Sequence, residues 1–134
     1  MPDWKLFYHI TWGTKIRLSL ITPDLEAPLH SAIAAKAIDI GAIVHAVGGI
    51  ENHIHLAVSV PPKIALSDFI GQVKGNSSHA VNHVFQPGSN FRWQEEYGIH
   101  SFDEKILHFI VKYIHAQHEH HQQDNLFNHL ERVE

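Results

Sequence analysis

The sequence predicts an α+β fold built on a four-stranded antiparallel sheet, and two observations support this. Short segments with alternating apolar residues, which are typical of strands, are interleaved with longer segments of helical periodicity. Their order is strand, helix, strand, strand, helix, strand, and one more helix follows. The first six elements have the order of the ferredoxin-like split βαβ fold, in which two helices cover one face of the sheet. The last helix is an extra element, able to cover the other face or to reach a neighbouring molecule.

The first strand and the first helix have clear signals. Residues 4–12 alternate large apolar groups with other side chains, which indicates a strand with one buried face. Residues 22–41 are predicted as a helix, with Thr22 as the N-cap and Gly41 as the stop. Four apolar residues recur at helical spacing and are expected in the core: Leu25, Leu29, Ile33 and Ala37.

The second half of the chain is predicted from strand, turn and breaker signals. The predicted elements are strands at 42–50 and 53–60, a helix at 64–85, a strand at 91–94 and a helix at 102–123. The first two of these strands are close enough in sequence to form a hairpin. The segment "EEYGIHSF" before the last helix is predicted as a loop, in which Gly98 could act as a hinge.

Composition limits the class of protein. The 134 residues suit one domain, so residues 1–134 are expected to form a single domain. No apolar run approaches the roughly 20 residues of a membrane span, and a signal peptide is not evident, so a cytoplasmic location without membrane contact is expected. The absence of cysteine excludes disulfides and thiolate chemistry. The formal net charge of −4 argues mildly against nucleic-acid binding by bulk electrostatics.

The segment "ENHIHLAVSVP" carries the first chemical signal. Alternation along this strand sends Ile54 and Leu56 to the helix-covered face and sends His53 and His55 to the open face. Two imidazoles about 6.5–7 Å apart along a strand can converge on one metal ion. A pair of histidines on a strand is also compatible with an ordinary polar face, so both interpretations stay open.

The segment "YIHAQ" carries the second signal. Tyr113 and Gln117 are four residues apart and share a helix face. A glutamine carbonyl oxygen suits a hard ion such as Mg²⁺ or Mn²⁺. The residues alone favour a simpler interpretation, in which Tyr113 continues the apolar face of Ile106 and Ile110 as a core tyrosine.

Together these segments resemble the small single-tyrosine HUH transposases of bacterial insertion sequences, including the REP-associated tyrosine transposases. The resemblance extends in order through "YHITWGTKIR", "ENHIHLAVSVP", "GQVKGNSSHAVN", "FRWQEEYGIHSF" and "YIHAQHEHH", which is nearly the whole chain. Each motif alone is weak, but their combination is specific.

The resemblance implies a set of roles. His53, His55 and Gln117 would bind a divalent metal, Mg²⁺ or Mn²⁺. Tyr113 would be the nucleophile that cleaves single-stranded DNA and leaves a 5′-phosphotyrosine link. The resemblance also implies a homodimer that recognises DNA hairpins, with the tyrosine helix of one subunit serving the histidine pair of the other.

DNA contacts are expected from a few basic groups, since the chain is acidic overall. The candidates are Lys15, Arg17, Lys74 and Arg92. Each is equally compatible with a solvated surface charge. The segment "HEHH" at 118–121 is interpreted as a solvated helix end. The alternative function is an inactive or domesticated ferredoxin-like nucleic-acid-binding module, and a weaker third is a histidine-rich metal-binding protein.

Overall fold

The structure, a computed structural model, describes residues 3–117. The elements are β1 (Phe7–Gly13), α1 (Pro23–Ile40), β2 (Ile43–Ile50), β3 (His53–Ser59), α2 (Leu66–Ala80), β4 (Gly98–Phe102) and α3 (Leu107–His115). The strands form one sheet in the order β2-β3-β1-β4, and each neighbouring pair is antiparallel. This arrangement confirms the predicted α+β fold with a ferredoxin-like sheet and an extra helix.

The fourth strand lies later in the chain than predicted. β4 falls within the predicted loop, and it pairs with β1 from Thr11↔Gly98 to Phe7↔Phe102. Gly98 therefore begins a strand, and the hinge interpretation is wrong for this residue. The predicted strand at 91–94 is also wrong, because in the described residues it makes only an isolated bridge, Thr14↔Trp93.

Side-chain hydrogen bonds and packing against the core hold residues 91–94 away from the sheet. The Asn82 side chain accepts a hydrogen bond from the Phe91 N–H at 2.8 Å and donates one to the Phe91 carbonyl at 3.0 Å. The Trp93 indole donates to the Ser77 hydroxyl at 3.0 Å and packs edge-on against Trp12. The segment is therefore fixed by Ser77 of α2, by Asn82 just after α2 and by the core, rather than by a strand ladder.

Helices α1 and α2 cover one face of the sheet, which we call the helix-side face. α1 follows Thr22 at the predicted N-cap and ends at Gly41, whose φ of 111° is a left-handed conformation that glycine adopts readily. The predicted core residues of α1 are all buried: Leu25, Leu29, Ile33 and Ala37. α2 ends at Ala80 and continues into one π-helical turn, Val81–Phe85, so the predicted helix at 64–85 is confirmed with a changed last turn.

Helix α3 covers the opposite face, which we call the site face. Ile110, Tyr113 and Ile114 pack there against Ala46 and Ala57 of the sheet. The predicted helix begins later than expected, because Glu104–Ile106 form a 3₁₀ turn capped by the Asp103 side chain. Residues 118–121 lie outside the described part of the chain.

A glycine allows α3 to approach the sheet closely. A Cβ atom at Gly48 of β2 would overlap the carbonyl oxygen of Ile114 and lie 2.8 Å from its Cγ2. Gly48 is also the β-sheet partner of His55. The helix that carries Tyr113 therefore lies directly over the histidine pair. Among residues 3–117, no helix is long and apolar enough to cross a membrane.

Candidate active site

The histidine pair lies on the site face, as the alternation along β3 predicts. Ile54, Leu56 and Val58 belong to the helix-side core, whereas Ala57 belongs to the cluster under α3. The rings of His53 and His55 are 5.1 Å apart between centroids, with an angle of 68° between their planes. The prediction that this face is open is wrong, because His53 is only 2% exposed and His55 is fully buried beneath α3.

Tyr113 lies beside this pair in the same chain. Its ring centroid is 5.8 Å from that of His55, in an edge-to-face arrangement. Tyr113 is 2% exposed and packs with Ile110 and Ile114. The two interpretations of Tyr113 therefore do not exclude each other, because this tyrosine is both a packing residue and a neighbour of the histidines.

Gln117, the third predicted metal ligand, lies just after the end of α3. Its Nε2 donates to the Tyr113 carbonyl at 3.1 Å, and the residue is only 1% exposed. Its Oε1 is buried and has no hydrogen-bond partner in the described part of the chain. Leaving a buried acceptor unsatisfied costs about 1–3 kcal/mol, so this oxygen is suited to accept a ligand.

The donor set fits a divalent ion. The amide oxygen is a ligand type that suits Mg²⁺ and Mn²⁺, whereas the two imidazoles are ligands typical of first-row transition metals. Residues 3–117 hold no group of three or more His, Cys, Asp or Glu side chains suited to a metal. A site here therefore depends on the Gln117 oxygen in addition to the histidines.

His9 is a site residue that sequence reasoning missed. Its Nε2 lies 2.8 Å from the Nδ1 of His55, and it is only 1% exposed. Its ring is also 6.3 Å from that of Tyr113, between centroids. Alternation along β1 sends His9 to the face of the sheet that Tyr8 and Ile10 do not occupy. Only the strand register, in which Thr11 pairs with His55, shows that His9 reaches the histidine pair.

The turn after β1 brings Arg17 to the other histidine. Arg17 Nη1 is 3.4 Å from His53 Nδ1, while the Asn52 Oδ1 lies closer, at 2.8 Å. Ile16 and Arg17 both have left-handed backbone angles, with φ of 46° and 58°. Such angles are unusual for a β-branched residue, and strained conformations of this kind cluster at functional sites.

The other predicted basic residues line a groove that does not include the histidine pair. This cavity of about 550 Å³ lies between α2 and residues 91–97, and its lining includes Lys15, Lys74, Arg92 and Trp93. Its α2 wall includes Gly71 and Gly75, where an added Cβ would meet no atom within 4 Å. The four basic residues predicted to contact DNA therefore lie in two places. Arg17 is beside the histidines, and the other three line the groove.

Lys74 has a defined structural role in this groove. Its ammonium donates to the backbone carbonyls of Gln94, Glu95 and Glu96. Burial lowers the pKa of Lys74, and the nearby carboxylates of Glu96 and Glu95 oppose that shift. Lys74 thus fastens the loop that forms the groove wall, and direct contact with DNA stays a prediction for this residue.

The structure packs a tyrosine-bearing helix over a histidine-bearing sheet, in an α+β fold that solved transposases share. Residues 3–117 match the family described as "Transposase IS200 like". The chain therefore belongs to the IS200-like transposase family. It is 27% identical over 122 residues to the ISDra2 transposase TnpA of Deinococcus radiodurans, an alignment that covers 87% of this chain and 86% of the relative.

Solved structures agree with this assignment. A putative transposase from Deinococcus radiodurans superposes with a TM-score of 0.67 at 25% identity, covering 87% of this chain and 93% of that one. A REP-associated tyrosine transposase bound to a REP hairpin has a TM-score of 0.66 at 18% identity, with coverage of 94% and 76%. The second likeness concerns the fold alone.

Proposed function

We propose that this transposase cleaves and rejoins single-stranded DNA at insertion-sequence ends through a covalent bond between Tyr113 and a 5′ phosphate. One observation carries the proposal: Tyr113 lies 5.8 Å from His55 between ring centroids, although 57 residues separate them in the chain. A tyrosine that shares a buried site with potential metal ligands is suited to nucleophilic attack on a phosphodiester.

The chemistry is a transesterification. The Tyr113 Oη attacks phosphorus and forms the new P–O bond, while the bond to the 3′ oxygen breaks. The phenolic proton is lost and the leaving 3′ oxygen gains a proton, so a 3′ hydroxyl is released. Because the phosphotyrosine link retains the energy of the phosphodiester, a 3′ hydroxyl can attack it and rejoin the strand without a nucleotide cofactor.

A divalent ion, Mg²⁺ or Mn²⁺, is the proposed cofactor. His53, His55 and Gln117 would hold it, and the buried Gln117 Oε1 supports this assignment. When bound, such an ion polarises the phosphoryl oxygen and offsets charge that develops during attack. The packing of the site keeps water away from the phenol, since Tyr113, His55 and Gln117 are each at most 2% exposed.

The proposed substrate is single-stranded DNA with hairpin ends. The structural neighbour bound to a REP hairpin supports a hairpin partner. The groove beside α2 offers Lys15 and Arg92 for phosphates and Trp93 for stacking. Arg17 is suited to a phosphate near the histidines. With a net charge of −4, the protein depends on these local cations for DNA affinity.

The function is tested with a hairpin oligonucleotide labelled at either end and incubated with Mn²⁺. With a 3′ label, a denaturing gel should show the label on the protein, whereas a 5′ label should appear on a shortened free strand. EDTA should abolish both products. Hairpin binding without a covalent band would instead select the inactive nucleic-acid-binding module, and a 5′-labelled protein band would contradict the proposed polarity.

A homodimer with exchanged tyrosine helices is also proposed. In the described chain α3 lies over the histidines of its own sheet, so an exchange would require this helix to move to the sheet of the partner. A second copy offers the displaced helix an equivalent sheet to pack on.

Mixing two inactive variants tests the exchange. His53→Ala protein and Tyr113→Phe protein are combined and allowed to exchange subunits. Under random two-fold pairing, roughly a quarter of all sites join intact histidines to an intact tyrosine, if the sites are shared between subunits. A mixture that stays inactive, with exchange shown by light scattering of tagged subunits, would mean that each site is built from one chain.

A further inference from the structure

We propose that His9 is a positioning residue, which holds His55 in the orientation and tautomer needed to bind metal through Nε2. His9 lies on β1, outside the histidine motif of β3, and no role follows for it from the transposase reaction itself. The inference rests on the proposed metal site and deepens it, because it assigns a residue that prepares one of the ligands.

The contact between the two rings carries the argument. His9 Nε2 and His55 Nδ1 are 2.8 Å apart, which is a hydrogen-bond distance for two ring nitrogens. Two such nitrogens bond only when one carries hydrogen and the other offers a lone pair. The contact therefore fixes the tautomers of both rings together.

The other histidine of the pair indicates which way the proton lies. His53 Nδ1 is 2.8 Å from the carboxamide oxygen of Asn52, and an oxygen can only accept. Arg17 Nη1, which can only donate, lies farther from the same nitrogen at 3.4 Å, so the shorter Asn52 contact favours hydrogen on His53 Nδ1. The Nε2 lone pair of His53 would then be available to the proposed ion. If His55 likewise donates from Nδ1 to His9, then both histidines have the same tautomer and both offer Nε2 to one ion.

Burial makes this arrangement persistent. His9 is 1% exposed, and His55 is fully buried. Water therefore cannot readily replace His9 as the partner of Nδ1. Partners of this kind orient ligating histidines in metalloproteins, and their removal typically lowers metal affinity by about 10–100-fold.

The first test reads the tautomer without any metal. Long-range ¹H–¹⁵N correlation spectra of the metal-free protein at about pH 8, where an ordinary histidine is neutral, distinguish Nδ1–H from Nε2–H rings. His55 should be an Nδ1–H tautomer in the wild type. It should lose this preference in His9→Leu and keep it in His9→Gln, whose side-chain oxygen can accept the same hydrogen. A wild-type His55 with its hydrogen on Nε2 would overturn the proposal.

The second test measures Mn²⁺ affinity by titration calorimetry. His9→Leu should bind Mn²⁺ about 10–100-fold more weakly than wild type, and His9→Gln should keep most of the affinity. His45→Leu is the matched control, because His45 bonds Ser59 at 2.8 Å rather than a histidine of the pair. Its Mn²⁺ affinity should be unchanged.

The outcomes separate this proposal from the metal site on which it rests. Unchanged Mn²⁺ affinity in folded His9→Leu, with affinity lost in His53→Ala, would overturn the role of His9 and leave the metal site standing. Mn²⁺ binding that is absent, or that survives His53→Ala, would overturn both. If His9→Leu does not fold, the wild-type tautomer and His9→Gln still decide the question.

Discussion

Strand β3 is buried on both faces of the sheet, but different elements cover the two faces. On β3, the neighbours Ile54 and His55 are both 0% exposed. Ile54 lies under α1 and α2 in a large apolar core, whereas His55 lies under α3 beside His9 and Tyr113. Burial alone therefore does not distinguish core from site. The distinction lies in the side chains, because one face buries hydrocarbon and the other buries polar groups suited to chemistry.

The largest stability difference between the faces is expected at these two neighbours. Ile54→Ala should lower the free energy of unfolding by about 2–5 kcal/mol, since it leaves a cavity in the helix-side core. His55→Gln should cost less, because it keeps a polar side chain on a face that one short helix covers. Urea denaturation of both variants measures this. An equal or larger loss for His55→Gln would mean that the site face contributes to folding as a core does.

A pair of glycines gives the next comparison. Gly48→Ala places a methyl group against Ile114 and should cost about 1–3 kcal/mol, as overpacking typically does. The cost should fall on α3, so hydrogen exchange of its amides should quicken while α1 and α2 stay protected. Uniformly faster exchange in all three helices would mean that α3 does not open independently of α1 and α2.

Gly71→Ala is the matched change on the helix side. An added Cβ at Gly71 meets open space within α2, so alanine should stabilise the protein by about 0.5–1 kcal/mol through helix propensity. Because Gly71 lines the groove, the same methyl group should weaken hairpin binding. Thermal unfolding and a filter-binding titration measure the two effects. If the stabilised variant binds the hairpin as well as wild type does, the hairpin does not bind in this groove.

The smallest expected effect concerns pH and His45. Burial lowers the pKa of His45 below its ordinary value. The unfolded chain therefore takes up a proton at this residue first as the pH falls below about 6.5, and folding stability is lost from there through the folded pKa. His45→Gln should show a shallower loss between pH 7 and pH 5 in thermal unfolding. Parallel curves for the two proteins would mean that other groups control acid stability.

Sequence patterns predicted the helix-side face more completely than the site face. The alternation of β3 and the helical spacing of α1 depend on local periodicity, and both are confirmed. Periodicity could not place β4, because Phe91 and Trp93 imitate a strand while Asn82 and Ser77 hold them in the core. His9 was missed for another reason: its contact with His55 depends on strand register, which no short motif encodes.

The most direct test of the account compares one tyrosine from each face. Tyr113 lies beside the histidines, whereas Tyr8 packs against the helix-side core. Tyr113→Phe and Tyr8→Phe each remove one hydroxyl, and both proteins are incubated with a 3′-labelled hairpin oligonucleotide and Mn²⁺ before a denaturing gel. Tyr113→Phe should bind the hairpin and form no covalent band, while Tyr8→Phe should form the band as wild type does. A covalent band that persists in Tyr113→Phe would contradict the central claim.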